Sequence, residues 1–348
     1  MVTEPEPEQT ADPGDRSLVL VLGPGRSGTS TMAGALAHSG YTVPQAIKGN
    51  ETNPLGFFEP RWLVNFQSRQ LKKARVGNLD ADPEAVAALE SAIDDDAFRR
   101  QLARWLMPEL EAHGRLVLKD PRTIWFKGLW DDVAQAQGLD PRFVIMLRHP
   151  AEVSSSRSTY YSAREAAGVA GWINVALMTE RLTRGSRRAF VHYPNLTTDW
   201  RSELVRLRSA LGITLDPAPE EKPHPVDDFI DPNLRRMRPE WDKISAPQHL
   251  RDLADRTHAA LSVLADEESP DASAFSSLDD LRAEYTLLHA DAMDMVGSSV
   301  RRLTAEARRT ARRKARAEFI AQQEQAAAAR TPGPRDRAAA LLGRLRRR

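Results

Sequence analysis

No cysteine occurs anywhere in the chain. That excludes a disulfide framework and a cysteine-ligated zinc. Aromatic residues are sparse, at 6% with five Tyr and ten Phe, and no run of them suggests an aromatic-lined pocket. No apolar run approaches the roughly 18 residues needed to span a bilayer. An excess of charge of one sign is missing too, since the formal net charge is +1. That near-balance conceals an asymmetry: residues 301–348 hold 15 Lys/Arg against 4 Asp/Glu, or +11, leaving −10 for the remainder. The acidic body argues against nucleic-acid binding. The eight histidines show no metal-ligand spacing, so no metal site is expected.

What is present is an alternation of strand and helix signals along 348 residues. SLVLVL at 17–22, RLVL at 115–118, FVIML at 143–147 and AFVH at 189–192 read as buried strands. Helical patterns follow each of them, as expected for a parallel α/β sheet. Ligands in such sheets sit at the carboxyl ends of the strands. The clusters GPGRSGTS, KDPR, RHP and YPNL all fall there. The expected fold is a three-layer α/β/α P-loop domain over 16–250, after an acidic, Pro-rich segment at 1–15 that reads as disordered and not as a signal peptide. Residues 251–330 read as a helical extension. Apolar residues at 278, 281, 285, 288, 292, 295/296, 300 and 303 predict a packed or coiled face. TPGP at 331–334 breaks this helix before a basic tail at 331–348.

VLGPGRSGTST at 21–31 follows a strand and opens a helix, the context of a phosphate-binding loop. The usual loop reads G-x-x-x-x-G-K-[ST]. Gly23, Gly28 and Ser30 keep that spacing, but Thr29 stands in the lysine position and a cation, Arg26, sits inside the loop. A second element follows FVIML, where Arg148 ends the strand and Ser156 lies eight residues on in the next helix. A planar guanidinium fork and helix N-terminal groups facing one point suit an anion.

These elements, in this order, resemble the sulfotransferases that use 3′-phosphoadenosine-5′-phosphosulfate (PAPS), and the KDP arrangement resembles the bacterial and tyrosylprotein branch. The resemblance covers residues 17–240. It implies a PAPS-dependent sulfotransferase with Gly25, Arg26, Ser27, Gly28, Thr29 and Ser30 around the 5′-phosphosulfate, and with Arg148 and Ser156 on the 3′-phosphate. It places Tyr193 near the adenine. It gives Lys119 and Arg26 to the transferring group and Glu59 to the catalytic base, with Glu51 as rival. No metal is implied. The R-K-G element of cytosolic members is absent, and Arg235, Arg236 or Arg238 are the candidate substitutes. The implied acceptor is a hydroxyl, taken here as one on a carbohydrate or glycolipid.

Two other readings remain. In a P-loop kinase or NTPase, Asp120 would imitate a Mg²⁺-binding acid. A non-catalytic scaffold would keep the fold alone. The tail reads as a solvated helix or homo-oligomer arm, or as a basic amphipathic helix on an anionic membrane surface. The second option would make a cytoplasmic protein peripheral on the inner membrane face.

Overall fold

The computed structural model describes residues 16–49, 56–160, 165–231, 240–266, 272–330 and 333–347. The side chains of 157–160, 298–303, 323–330, 334–336 and 340 are outside that description. Glu51, Arg235, Arg236, Arg238 and the segment 1–15 therefore lie outside the described residues. The chain forms two compact units, residues 1–289 and 290–348.

Four parallel strands form the sheet of the first unit: β1 (Ser17–Leu22), β2 (Arg115–Lys119), β3 (Arg142–Leu147) and β4 (Arg188–His192), in the order β2-β1-β3-β4. Each falls where the apolar runs place it. Alternation along β1 divides the core. Leu18, Leu20 and Leu22 face one side with Leu116, Leu118, Phe143 and Ile145. Val19 and Val21 face the other with Val117, Val144 and Met146. Both faces are apolar because helices cover both, as parallel sheets require.

The helices follow in order. α1 (Thr29–Ala37) leaves the first strand. α2 (Arg61–Ala74), α3 (Ala85–Ala92) and α4 (Asp95–His113) lead to β2. A 3₁₀ turn at Thr123–Phe126 and α5 (Lys127–Ala136) lead to β3, and α6 (Pro150–Tyr160) and α7 (Glu165–Thr183) lead to β4. α8 (Tyr193–Thr198), α9 (Trp200–Leu211), α10 (Pro225–Phe229) and α11 (Gln248–Asp266) come next. The valine-lined face carries α1 and α9, through Met32, Leu36, Leu204, Leu207 and Leu211. The leucine-lined face carries α2, α4, α5, α7 and α11. Because the chain crosses from β2 past β1 to β3, connections leave opposite ways at the end of β1, the position at which open α/β sheets form their ligand crevice.

α11 also closes the ends of β3 and β4. Its His258 lies 5.1 Å from the His149 ring and 6.3 Å from the His192 ring, centroid to centroid. Asp255 pairs with His149 at 3.2 Å and Asp266 with His192 at 3.2 Å. Burial, followed by its two histidine neighbours, pushes the His258 imidazole down to about 4.

α12 (Ala272–Arg330) and α13 (Pro334–Leu345) complete the chain. Leu278, Leu281 and Tyr285 of α12 are buried, and Leu288 packs against the same core. Further along the expected packed or coiled face, Val296 is 51% exposed, and the side chains at 300 and 303 lie outside the described residues. Periodicity marks a face, but whether a neighbour covers it is a tertiary fact.

Candidate active site

The β1–α1 loop is a tight turn with three left-handed residues. Gly23 has φ 134° and Gly28 φ 90°, and Arg26, which is not a glycine, has φ 78°. A side chain is excluded at Gly28 by space as well as by φ, since a Cβ there would lie 2.0 Å from Cδ2 of Tyr193. Gly25 is the opposite case. A Cβ there would meet nothing within 4 Å, so the loop is open on that side. Ser27 is fully buried, and its Oγ has no hydrogen-bond partner among the described residues. An open glycine beside an orphaned buried hydroxyl fits a loop shaped for an anion.

Two cations reach this loop from its own connection and from the end of β3. Arg26 Nε donates to Ser156 Oγ on α6 at 3.0 Å. Arg148, at the end of β3, donates from one terminal nitrogen to the Arg26 carbonyl at 3.1 Å. That bond helps hold Arg26 in its left-handed conformation, a conformation that costs roughly 1–2 kcal/mol for a residue with a Cβ. Arg148 Nε is bonded to Glu152 Oε2 at 2.8 Å, with both residues buried. The Arg148 guanidinium lies over the Tyr193 ring at 4.6 Å.

Arg26, Arg148 and Ser156 therefore come together as the sequence spacing requires. Glu152, four residues after Arg148, was not singled out from the sequence, although the i,i+4 acid–base pattern was legible. Tyr193 is buried between Gly28 and Arg148, and its hydroxyl bonds to Thr31, so it braces the loop from behind. Burial raises its phenol.

The end of β2 supplies the rest. In register Lys119 lies opposite Val21, so its side chain emerges beside the loop. Lys119 Nζ is 3.3 Å from Ser30 Oγ and 2.5 Å from Glu59 Oε1. A lysine from the neighbouring strand thus reaches the loop next to position 29, where the usual motif has its own lysine. Glu59 is held by its backbone, through Ile47 N to Glu59 O at 2.9 Å and a bridge between Ala46 and Pro60. The preceding segment docks on α1, where Ser30 Oγ donates to Phe57 O at 3.3 Å. Phe58 meets Phe229 edge-on at 5.4 Å above Gly34.

Asp120, the Mg²⁺-binding acid of the kinase reading, and Arg122, to which the sequence gives no role, join this cluster. Asp120 is fully buried and bonds through Oδ1 to Arg122 Nε at 2.7 Å and to Arg122 N at 3.0 Å. Its other oxygen, Oδ2, has no partner among the described residues. Arg122 also faces Glu59 Oε2 at 3.9 Å. Glu59 thus lies between two cations, one on each oxygen. Burial pushes the Asp120 carboxyl up to about 6 against the pull of Arg122, and Glu59 adds to the rise. Among the described residues, no group of three or more His, Asp or Glu is placed to hold a metal ion.

A scan against protein-family models matches none, and a search of curated proteins finds no relative. Among solved structures, the chain is similar to the sulfotransferase domain from the Synechococcus PCC 7002 olefin synthase. The identity is 18% over 73% of this chain and 98% of that one, with a TM-score of 0.41. It is also similar to the sulfotransferase domain from the curacin biosynthetic pathway, at 14% identity over 71% and 98% of the two chains, TM-score 0.38. A third likeness is to sulfotransferase STF1 from Mycobacterium tuberculosis H37Rv, at 14% identity over 62% and 73%, TM-score 0.35. These are likenesses of fold, and activity has to be argued from the side chains.

Proposed function

We propose that the chain is a PAPS-dependent sulfotransferase that transfers the sulfuryl group to an acceptor hydroxyl, with a carbohydrate or glycolipid as the acceptor class. The observation that carries this reading is the Lys119 ammonium, which touches both a loop hydroxyl, Ser30, and a buried carboxylate, Glu59. Sulfuryl transfer resembles phosphoryl transfer, with in-line displacement in which positioning and charge neutralisation dominate. Gly25, Ser27, Gly28, Thr29 and Ser30 would line the 5′-phosphosulfate, and Arg148 and Ser156 would meet the 3′-phosphate. Lys119 and Arg26 would neutralise the bridging oxygen as the sulfur–oxygen bond to the leaving phosphate breaks. Glu59 would take the proton of the acceptor hydroxyl as its oxygen bonds to sulfur. None of these roles calls on a metal ion.

The kinase reading would use Asp120 to hold Mg²⁺. That carboxylate is fully buried and anchors Arg122, which suits a structural anchor better than an open cation ligand.

Calorimetric titration with adenosine 3′,5′-bisphosphate and separately with ATP–Mg²⁺ tests the reading. Binding of the bisphosphate in preference to ATP is expected. Tight ATP binding with indifference to the bisphosphate overturns it. In transfer assays with labelled PAPS, Glu59→Gln should retain donor affinity and lose about 10²- to 10⁴-fold in turnover.

A further inference from the structure

The second unit carries a charged surface that the chemistry above does not use. Residues 304–322 of α12 are exposed throughout. At 3.6 residues per turn, Arg308, Arg309, Arg312, Arg313 and Arg316 fall within an arc of roughly 140°. Lys314 is the basic residue of this stretch outside that arc, and the opposite side holds Ala307, Thr310, Ala311 and Glu318. Among the described residues none of these five arginines has an ion-pair partner. The arc continues into Phe319 and Ile320, 60% and 46% exposed. α13 repeats the pattern on a smaller scale. Leu341, Leu342 and Leu345 share one side within roughly 100° and are each about two-thirds exposed, with Arg337, Arg344 and Arg346 flanking them.

We propose that this unit is a docking arm for an anionic lipid surface, with the arginine arc of α12 supplying the attraction and the leucines of α13 the shallow insertion. Two features choose this occupant. The charge is one-sided, which suits a plane of anionic headgroups. The exposed apolar side chains sit on or between the basic ones, where an acyl boundary can receive them. A nucleic-acid backbone would reward the arginines but give the leucines no apolar phase to enter. A second copy applied through the same arc would set arginines against arginines. The inference stands apart from the proposed sulfuryl transfer, since it concerns none of the residues of that site.

The test is co-sedimentation of the full chain with vesicles of phosphatidylcholine alone and of roughly three parts phosphatidylcholine to one of phosphatidylserine. Pelleting is expected with the mixed vesicles and not with the neutral ones, and it should fall as salt rises. The triple variant Arg309→Gln/Arg312→Gln/Arg313→Gln should partition about 10²-fold less, at roughly fivefold per near-surface charge. Leu341→Ser/Leu345→Ser should weaken binding with every arginine intact. Circular dichroism of each variant confirms that the helix is kept. Failure to pellet overturns the proposal, and so does equal pelleting on neutral vesicles. It is also overturned by tighter binding to duplex RNA that ignores the leucine substitutions, or by a concentration-dependent dimer in sedimentation velocity that the arginine substitutions strengthen.

Discussion

Arg122 links two carboxylates that behave differently. It is bonded to the buried Asp120 and reaches toward Glu59, whose other oxygen is taken by Lys119. Removing it should disturb chemistry more than donor binding. Arg122→Ala is expected to lower kcat about tenfold, the usual scale for a residue that orients another, and to leave affinity for adenosine 3′,5′-bisphosphate within about twofold. Arg122→Lys should restore part of the lost turnover. An unchanged kcat would leave Arg122 as a fold residue only. Glu59 and Lys119 were legible because a known pattern contains them. Arg122 stood in the same KDPR cluster, yet its role depends on a residue some sixty positions earlier. No spacing in one dimension shows that proximity.

At the scale of elements, the β1–α1 loop is held by its neighbours more than by its own sequence. Gly28 combines a left-handed φ with the Tyr193 ring packed against it. Gly28→Ala should therefore strain the backbone and displace the ring, costing about 2 kcal/mol or more of stability. Thermal unfolding and bisphosphate titration should both register the loss. Gly25→Ala meets open space and should leave the melting temperature nearly unchanged. The strands were legible because apolar runs buried on both faces have a simple signature. Along the stripe from 278 to 303 the core covers Leu278, Leu281 and Tyr285, while Met295 and Val296 are exposed and the side chains at 300 and 303 lie outside the described residues.

For the whole molecule, stability should depend on pH through groups far apart in sequence. His258 is depressed to about 4, so its contribution is fully present above the ordinary histidine value near 6.5 and lost as pH falls toward 4. Asp120, raised to about 6, works in the opposite sense. Its contribution is present below the ordinary aspartate range and lost as pH rises through 6. Only substitution separates the two. His258→Phe should flatten the fall in unfolding free energy between pH 6.5 and 4, by an amount on the order of 3 kcal/mol. Chemical denaturation across that range measures it, and an unaltered pH dependence would remove the histidine cluster from the account. None of this was legible in the sequence, where His149, His192 and His258 are simply scattered. α11 brings them together by closing over the ends of β3 and β4.

The cations of the crevice each arrive with a companion already attached. Arg148 holds Glu152, Lys119 holds Glu59, Arg122 holds Asp120, and Arg26 leans on the Ser156 hydroxyl. Where the companion is a carboxylate, Glu152 on Arg148 or Glu59 on Lys119, it acts as a resident competitor that an incoming anion must share the cation with or exchange for. A small inorganic ion such as sulfate or chloride could win only one such exchange and would gain little from it. A nucleotide carrying two separate phosphate groups can win several at once, and its second displacement is assisted by the tether to the first. The crevice should therefore ignore the millimolar anions of ordinary buffers while still admitting a bisphosphate, a discrimination that comes from valency and not from the strength of any single contact.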